Sequence, residues 1–133
     1  NIHSIRKEIE DLMWDKGGLV RDEQGMKEAL STLEGLTERY RYAYVPPTRE
    51  FNLTWQEWLN VRSILTVARL TCLSALTRTE SRGSHYRSDY PESNDEKWTR
   101  NIFVKGEGEG EGTTKVWTEK VHFGRLHPGD LVK

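Results

Sequence analysis

The stretch that most constrains the fold lies between residues 54 and 80, where apolar side chains recur at helical spacing. The apolar positions are Trp55, Trp58, Leu59, Leu65, Ala68, Cys72 and Leu76, joined by Ile64, Val67, Leu70 and Leu73. A helix that is apolar around much of its circumference has to be covered on more than one side. Thr54 and Glu57 have the spacing of a capping box, which predicts the helix start. The sequence therefore predicts a long, central helix over residues 54–80.

Two shorter amphipathic helices are predicted before it, over residues 2–16 and 22–41. Their apolar positions are Ile2, Ile5, Ile9, Leu12 and Met13 in the first helix, and Met26, Ala29, Leu30, Leu33, Leu36 and Tyr40 in the second. Gly17 and Gly18 are expected to end the first helix in the left-handed conformation common at helix C-termini. Asp22 is a candidate N-cap for the second helix.

Beyond Trp98 the pattern changes to two β-rich runs, residues 102–104 and 116–123, around a glycine-rich tract. They predict a hairpin with a long tip. In that tip, glycine alternates with Glu107, Glu109 and Glu111, which predicts a mobile, solvated loop without a cation site. The tail through Pro128 is expected to be irregular. The predicted fold is mainly α: an antiparallel three-helix bundle, an irregular segment and a small C-terminal β-hairpin.

Size and composition indicate a single domain with an evenly charged surface. The 133 residues carry a net charge of −1, with 31% charged residues, which gives no electrostatic reason to expect nucleic acid or anionic lipid as a partner. No apolar run approaches the roughly 20 residues that span a bilayer, so direct membrane insertion is not expected. The single cysteine, Cys72, fits a reducing compartment and a place in the core. The start at Asn1 is consistent with a fragment of a longer protein.

Residues 79–100 form a non-periodic run between the helical and the β-rich parts. The run packs charged residues, two tyrosines, a histidine, a glycine and a proline into 22 positions. Linkers avoid aromatic residues and specific polar clusters. This segment is therefore the predicted functional surface.

The run carries a resemblance to a known family. Its matching positions are Arg78, Glu80, Ser81, Arg82, Gly83, Ser84, His85, Arg87, Asp89, Tyr90 and Pro91, followed by Asn94, Asp95 and Trp98. They resemble a signature near the C-terminus of succinate dehydrogenase and fumarate reductase flavoprotein subunits, although Ser84 and Ser93 depart from the commonest residues. A second match lies upstream, at residues 12–14 and 18–21. L-aspartate oxidases share a weaker version of the run.

The resemblance implies a helical domain (residues 1–98, with residues 99–133 as its hairpin extension and tail) in a parent that interconverts succinate and fumarate through FAD. It implies that the catalytic and FAD-binding residues precede this domain, so none is assigned here. It also implies docking onto the FAD-binding domain through Arg82, Gly83, His85, Arg87 and Asp89. An iron–sulfur subunit is the further implied partner, and the implied location is cytoplasmic, peripheral to the membrane through the holoenzyme.

The residues themselves offer few catalytic or ligand-binding candidates. His85 is the only histidine flanked by arginines, and a structural, hydrogen-bonded role is favoured over acid–base work. His122 and His127 lack partners at metal-ligand spacing, so no metal site is predicted. Tryptophans 14, 55 and 58 are interpreted as core or interface residues. Because no glycine fingerprint follows a strand, we expect the chain alone not to bind FAD. The resemblance implies that the dicarboxylate-binding residues also precede this domain, so we do not expect it to bind succinate.

Three alternatives remain open at this point. The first is a free-standing helical module that docks a partner protein through the same run. The second is the equivalent domain of an L-aspartate oxidase. The third is a small autonomous enzyme that uses His85.

Overall fold

A computed structural model describes residues 1–106, 113–125, 127 and 130. In chain order the elements are α1 (Ile2–Lys16), β1 (Val20–Arg21), α2 (Glu23–Arg41), α3 (Leu53–Thr77), β2 (Tyr86–Arg87), α4 (Asp95–Trp98), β3 (Arg100–Gly106) and β4 (Thr114–Lys120). The mainly α fold and its three main helices are confirmed. The predictions for the glycine–glutamate tract and for Pro128 and Gly129 fall outside the described residues.

The three long helices form an up–down–up bundle around one core. Arg6 of α1 pairs with Glu57 near the start of α3, and Met13 near the end of α1 lies 3.7 Å from Cys72 near the end of α3. These helices therefore run in the same direction, and α2 runs back between them. The core is built from Ile2, Ile5, Ile9, Ala29, Leu33, Leu36, Tyr40, Val61, Leu65, Ala68 and Cys72. The core role predicted for Cys72 is confirmed.

The helix caps agree with the prediction at α2 and differ at α3. The Asp22 side chain accepts a hydrogen bond from the Gly25 N–H at 2.7 Å, as an N-cap does. The predicted cap at Thr54 is wrong: Asn52 caps α3 by accepting from the Trp55 N–H. The helix ends at Thr77 rather than at residue 80, because the next residue, Arg78, is extended.

The paired glycines end α1 by a different device from the one predicted. Gly17 has a φ of −106°, and among the described glycines only Gly83 has a positive φ. At Gly18 a Cβ atom would lie 2.4 Å from the Trp14 carbonyl oxygen. Close packing of the chain against the last turn of α1, and not left-handed backbone, is what requires glycine at this position.

Two small sheets flank the bundle. The predicted hairpin is confirmed: β3 and β4 are antiparallel, and Phe103 stacks on its cross-strand partner Trp117 at 5.4 Å between ring centroids. The second sheet was not predicted. In it β1 pairs in parallel with β2, which matches Val20 to Tyr86 and Arg21 to Arg87. This pairing attaches the α1–α2 connection to the run that follows α3.

Helix α3 is long and apolar enough to cross a membrane by length and composition alone, although 28% of its most apolar window is buried in the bundle. The sequence argument from unbroken apolar runs missed this because Arg62 and Arg69 interrupt the run. The buried face of α3 includes Val61, Leu65, Ala68, Cys72 and Ala75. The core helix of a bundle can meet the same criterion, so length and composition alone are weak evidence for a membrane span.

Candidate functional site

The site is the run of residues 79–100, which folds over the end of the bundle where α3 ends, α2 begins and α1 ends. Three sets of contacts attach the run to these three helix ends. Helix ends leave backbone carbonyl and N–H groups without partners inside the helix. Side chains of the run fill that need directly at the end of α3 and the start of α2, and through Arg21 at the end of α1.

Arg87 closes the end of α3. The residue is fully buried, and one guanidinium nitrogen donates to the carbonyl oxygens of Ala75, Leu76 and Arg78 at 3.1, 3.1 and 3.2 Å. Carbonyls in the last turn of a helix lack a partner within the helix, and a cation there also opposes the negative end of the helix dipole. Arg87 is therefore a cap for α3 that comes from outside the helix.

Asp89 connects Arg87 to the start of α2. Its two carboxylate oxygens accept from Arg87 Nε and a terminal nitrogen at 2.8 and 2.6 Å, the two-pronged geometry that makes arginine–carboxylate pairs strong. One of the same oxygens accepts from the Glu23 N–H at 3.0 Å. The hydrogen bonds from Arg87, which outweigh the opposing effect of burial, lower the pKa of Asp89 to about 2.

Glu80 is a buried carboxylate at the centre of a second cluster. The side chain is fully buried and accepts from Arg78, from Arg82 at 2.9 and 3.1 Å, and from the Asn94 N–H at 2.8 Å. Burial alone would raise its pKa. The bonds from Arg82, the Asn94 N–H and Arg78 outweigh it and lower the pKa to about 2, so the carboxylate stays ionised.

His85 joins the ends of α1 and α3. Its Nδ1 lies 3.0 Å from a guanidinium nitrogen of Arg21, and its Nε2 lies 3.3 Å from the Arg78 carbonyl oxygen. Since the guanidinium can only donate, Nδ1 accepts, and the proton on Nε2 donates to the carbonyl. Arg21 also donates to the carbonyls of Gly17 and Gly18. The predicted structural, hydrogen-bonded role of His85 is confirmed.

Burial lowers the pKa of His85; the bond to the Arg78 carbonyl opposes this, and the charges of Arg21, Arg87 and Arg78 add to it. The imidazole is therefore neutral near neutral pH. A neutral histidine whose two ring nitrogens are both engaged by protein groups has no free position for proton transfer to a substrate. The geometry gives no support to an enzyme that uses His85.

Gly83 forms the turn at the tip of the run. Arg82 and His85 exchange two backbone hydrogen bonds, at 2.8 and 3.0 Å, across the two residues between them. Gly83 has a φ of +57°, and no atom lies within 4 Å of the position a Cβ would take. Glycine is required because the first central position of such a two-residue turn needs a positive φ.

The five predicted docking residues separate into an inner and an outer set. Arg87 is buried, and His85 is partly buried. Arg82, Gly83 and Asp89 lie at the surface, and the Arg82 side chain, 42% exposed, reaches across to Asp95. As charged residues of a non-periodic segment, Arg82 and Arg87 are expected from the sequence to contribute little to the domain's own fold. For Arg87 this prediction is wrong, because the residue is buried and its partners include carbonyls more than eight residues away in sequence. No local sequence pattern contains these contacts.

Sequence reasoning did not assign site roles to Glu80, Arg21 or Ser81. Ser81 is buried; its Oγ accepts from the Arg87 N–H at 2.9 Å and donates to the Tyr90 carbonyl at 2.7 Å. The one available signal was the alternation of Arg78, Glu80 and Arg82 in a segment without helical period. A carboxylate between two arginines on an extended chain points to an internal ion-pair cluster.

The described residues offer little that would hold a cofactor or metal. An open cleft of about 460 Å³ beside α3 is lined by Arg21, Thr71, Ser74, Arg78, His85 and Ile102, but the cationic side chains there already donate to protein groups. Within the described part of the chain no three metal-ligating side chains come together. Of the tryptophans, Trp58 stacks on Tyr40 at the core, whereas Trp14 and Trp55 are exposed.

Comparison with known proteins supplies the family. The profile of the family described as fumarate reductase flavoprotein C-term matches residues 6–132. A fumarate reductase (CoM/CoB) subunit from Methanothermobacter marburgensis is 39% identical over 75% of this chain and 18% of its own length. The succinate dehydrogenase flavoprotein subunit of Coxiella burnetii is also 39% identical, over 78% of this chain and 18% of its own length.

The fold matches as well. A chain of the Mycobacterium smegmatis Sdh1 complex in the apo form superposes with a TM-score of 0.86 at 29% identity, over 98% of this chain and 23% of that one. The chain thus spans about a fifth of the length of the curated relatives that it matches.

Proposed function

This chain belongs to the family of C-terminal domains of succinate dehydrogenase and fumarate reductase flavoproteins, and from that premise we propose that it is a scaffold domain in an FAD-dependent subunit that interconverts succinate and fumarate. The observation that carries the proposal is the family match over residues 6–132, together with 39% identity to a fumarate reductase and to a succinate dehydrogenase subunit. In this proposal FAD and the reacting dicarboxylate are held by the rest of the parent chain.

The scaffold role is supported by the hydrogen bonds that the polar side chains of the run make within the domain. Arg87, Glu80 and His85 are all engaged with groups inside the domain. They maintain the shape of the run and leave no side chain of this cluster free for chemistry. Residues 1–98 act as one helical unit in this proposal, and residues 99–133 are its hairpin extension, which α3 contacts through the 2.6 Å bond between Arg69 and Thr114.

We further propose that the run docks onto the FAD-binding domain through Arg82, Gly83, His85, Arg87 and Asp89. The exposed positions of Arg82, Gly83 and Asp89 support direct contact, and arginine is the residue most suited to two-pronged bonds at polar interfaces. His85 and Arg87 would act indirectly, because they hold the turn and the helix ends in place. The two roles can be separated by mutation.

The proposed assembly places the domain on the cytoplasmic side, peripheral to the membrane through a holoenzyme that includes an iron–sulfur subunit. Support comes from the relatives, since one is named as part of a multi-subunit fumarate reductase and another as part of a complex. The near-zero net charge agrees with attachment through other proteins and not through anionic lipid.

The test is purification of the full-length parent, followed by measurement of bound FAD and of turnover with succinate, fumarate and L-aspartate. We expect flavin in about equimolar amount and turnover of succinate or fumarate, whereas the 133-residue chain alone binds neither FAD nor succinate. Turnover of L-aspartate without succinate or fumarate activity would assign the parent to the L-aspartate oxidases. A parent without flavin would refute the proposal and favour an interaction module.

A further inference from the structure

The end of the bundle opposite the run carries a concentration of exposed apolar side chains. They belong to the α2–α3 connection and the first turn of α3, and we call them the loop surface: Tyr42, Tyr44, Phe51, Leu53 and Trp55. Phe51 is 100% exposed and Tyr42 is 81% exposed. A patch of large apolar residues on an otherwise charged chain marks an interaction site more often than a free surface.

The loop surface is built on a fixed backbone. The Asn52 side chain donates to the carbonyls of Pro46 and Thr48, both at 2.7 Å, while its oxygen caps α3. Prolines 46 and 47 restrict the same connection further. The aromatic side chains are therefore presented by a connection that is already organised, which reduces the entropy lost when a partner binds.

The backbone of Phe51 adopts an unfavourable conformation. Its φ of +51° is the one positive value among the described residues other than glycine. Bulky residues are rarely found in this region of backbone conformation, and such residues cluster where function needs them. The side chain on this strained backbone is fully exposed, which favours a contact with a partner surface.

The position of the loop surface indicates what covers it. The pairs Arg6–Glu57 and Glu8–Arg39 bring the beginning of α1 beside the end of α2 and the start of α3. A chain that continues before Asn1 therefore joins the domain next to the loop surface. The relatives are more than four times as long as this chain, and the matched family is their C-terminal part, so their remaining chain is attached at this end.

We propose that the loop surface docks the flavin-binding part of the parent chain, with Phe51 inserted as the anchor. This inference rests on the proposed function and adds a second contact to the run. Because the inserted group is a phenyl ring, the partner surface it requires is an apolar pocket. The neighbouring groove of this domain is lined by Val45, Pro46, Pro47 and Trp55 together with the polar residues Thr48, Arg49 and Asn52. The flavin-binding part can contact both the run and the loop surface, which lie at opposite ends of the bundle. The two ends are separated by about the length of α3, roughly 37 Å. A domain of about 400 residues has a radius of gyration of about 21 Å, so it is wide enough to span that distance.

The direct test is hydroxyl-radical footprinting of the full-length flavoprotein, purified without other subunits. Oxidation of the Phe51 side chain is compared with that in a synthetic peptide of residues 42–58. We expect at least tenfold slower oxidation in the protein. A rate equal to that of the peptide overturns the inference, as does protection that disappears on dilution, which indicates a second copy, or protection that needs another protein of the holoenzyme.

A pair of variants tests the anchor role. Phe51→Ala in the full-length flavoprotein should accelerate FAD dissociation at least tenfold, because the flavin-binding part loses its contact with this domain. Trp14→Ala is the matched control: it removes another exposed aromatic side chain, 81% exposed, from the far end of α1, and should leave the dissociation rate unchanged. Equal effects of the two variants, or no effect of Phe51→Ala, contradict the anchor role.

The docking of the loop surface can be refuted without refuting the proposed function of the parent. A parent that holds FAD and interconverts succinate and fumarate, but leaves Phe51 open to oxidation, refutes the docking of the loop surface alone. A parent without FAD refutes the proposed function and this inference with it.

Discussion

Arg87 and Asp89 bind each other through two hydrogen bonds, at 2.8 and 2.6 Å, and each also binds a different helix end. Arg87 reaches the last carbonyls of α3, and Asp89 reaches the first N–H of α2. One ion pair two residues apart in sequence thus connects two helices of the bundle. The run therefore stabilises the helical bundle, in addition to forming part of the domain's surface.

Arg87→Ala should destabilise the 133-residue domain by about 3–5 kcal/mol, because it leaves the Asp89 carboxylate and the carbonyls of α3 without their partner. Denaturant unfolding measures this change. The control is Arg39→Ala, which removes an arginine that is about half exposed and paired with Glu8, and should cost about 0.2–1 kcal/mol. Equal losses in the two variants would show that Arg87 does not act as a cap.

Glu80→Gln should also destabilise the domain by about 3–5 kcal/mol, since it removes the charge that Arg78 and Arg82 share in a buried site. Asp95→Asn alters the exposed side of the same cluster, where the carboxylate is 80% exposed, and should cost less than about 1 kcal/mol. Thermal unfolding of both variants at neutral pH provides the comparison. A mild effect of Glu80→Gln would mean that the cluster is not organised around this carboxylate.

His85 should make the domain less stable as the pH falls below about 6.5. Its pKa in the folded chain is lowered from 6.5, so the unfolded chain binds the proton more tightly. Its contribution to stability is complete above pH 6.5 and declines as the pH falls toward the lowered pKa of the folded state. The measurement is the free energy of unfolding between pH 8 and 5 for the wild type, His85→Gln and, as a control at an exposed site, His3→Gln. We expect a weaker pH dependence only in His85→Gln; a wild-type stability that rises at low pH contradicts the assignment.

Gly83→Ala and Gly35→Ala should change stability in opposite directions. Gly83 has a φ of +57°, where alanine costs roughly 1–2 kcal/mol. Gly35 lies inside α2 with open space around its Cβ position, so alanine there should stabilise by about 0.5–1 kcal/mol. Both are measured as shifts in the unfolding midpoint. Stabilisation by Gly83→Ala would remove the conformational reason for glycine in the turn.

The sequence predicted the elements whose cause is local. Helical period and apolar spacing were sufficient for α1, α2 and α3, and alternation around a glycine tract predicted the β3–β4 hairpin. The N-cap of α3 was misplaced because Thr54 and Asn52 both have suitable side chains, and the choice depends on the bonds from Asn52 to Pro46 and Thr48. Such bonds depend on how the connection folds back, and no spacing rule contains that information.

The sequence predicted where the candidate site lies in the chain but not which residues its side chains contact. Charge density and the family resemblance located the run, whereas the burial of Arg87 depends on carbonyls of Ala75 and Leu76 that become available only where α3 ends. The parallel pairing of Val20 with Tyr86 joins segments more than sixty residues apart. Strands of two residues are too short to show a recognisable sequence pattern. Which residues of the run are buried and which are exposed could be determined only from the structure.

Arg82→Gln in the full-length parent tests whether the run docks this domain onto an FAD-binding domain. Flavin release and helical unfolding are followed in the same denaturant titration. Arg82 is partly exposed, and Glu80 keeps its bonds to Arg78 and to the Asn94 N–H when Arg82 is replaced. We therefore predict that flavin is released at clearly lower denaturant concentration and that the helical transition shifts by much less than flavin release does. If the two transitions shift together, or if flavin release is unchanged while the helices melt earlier, the run is internal scaffolding and the docking role is wrong.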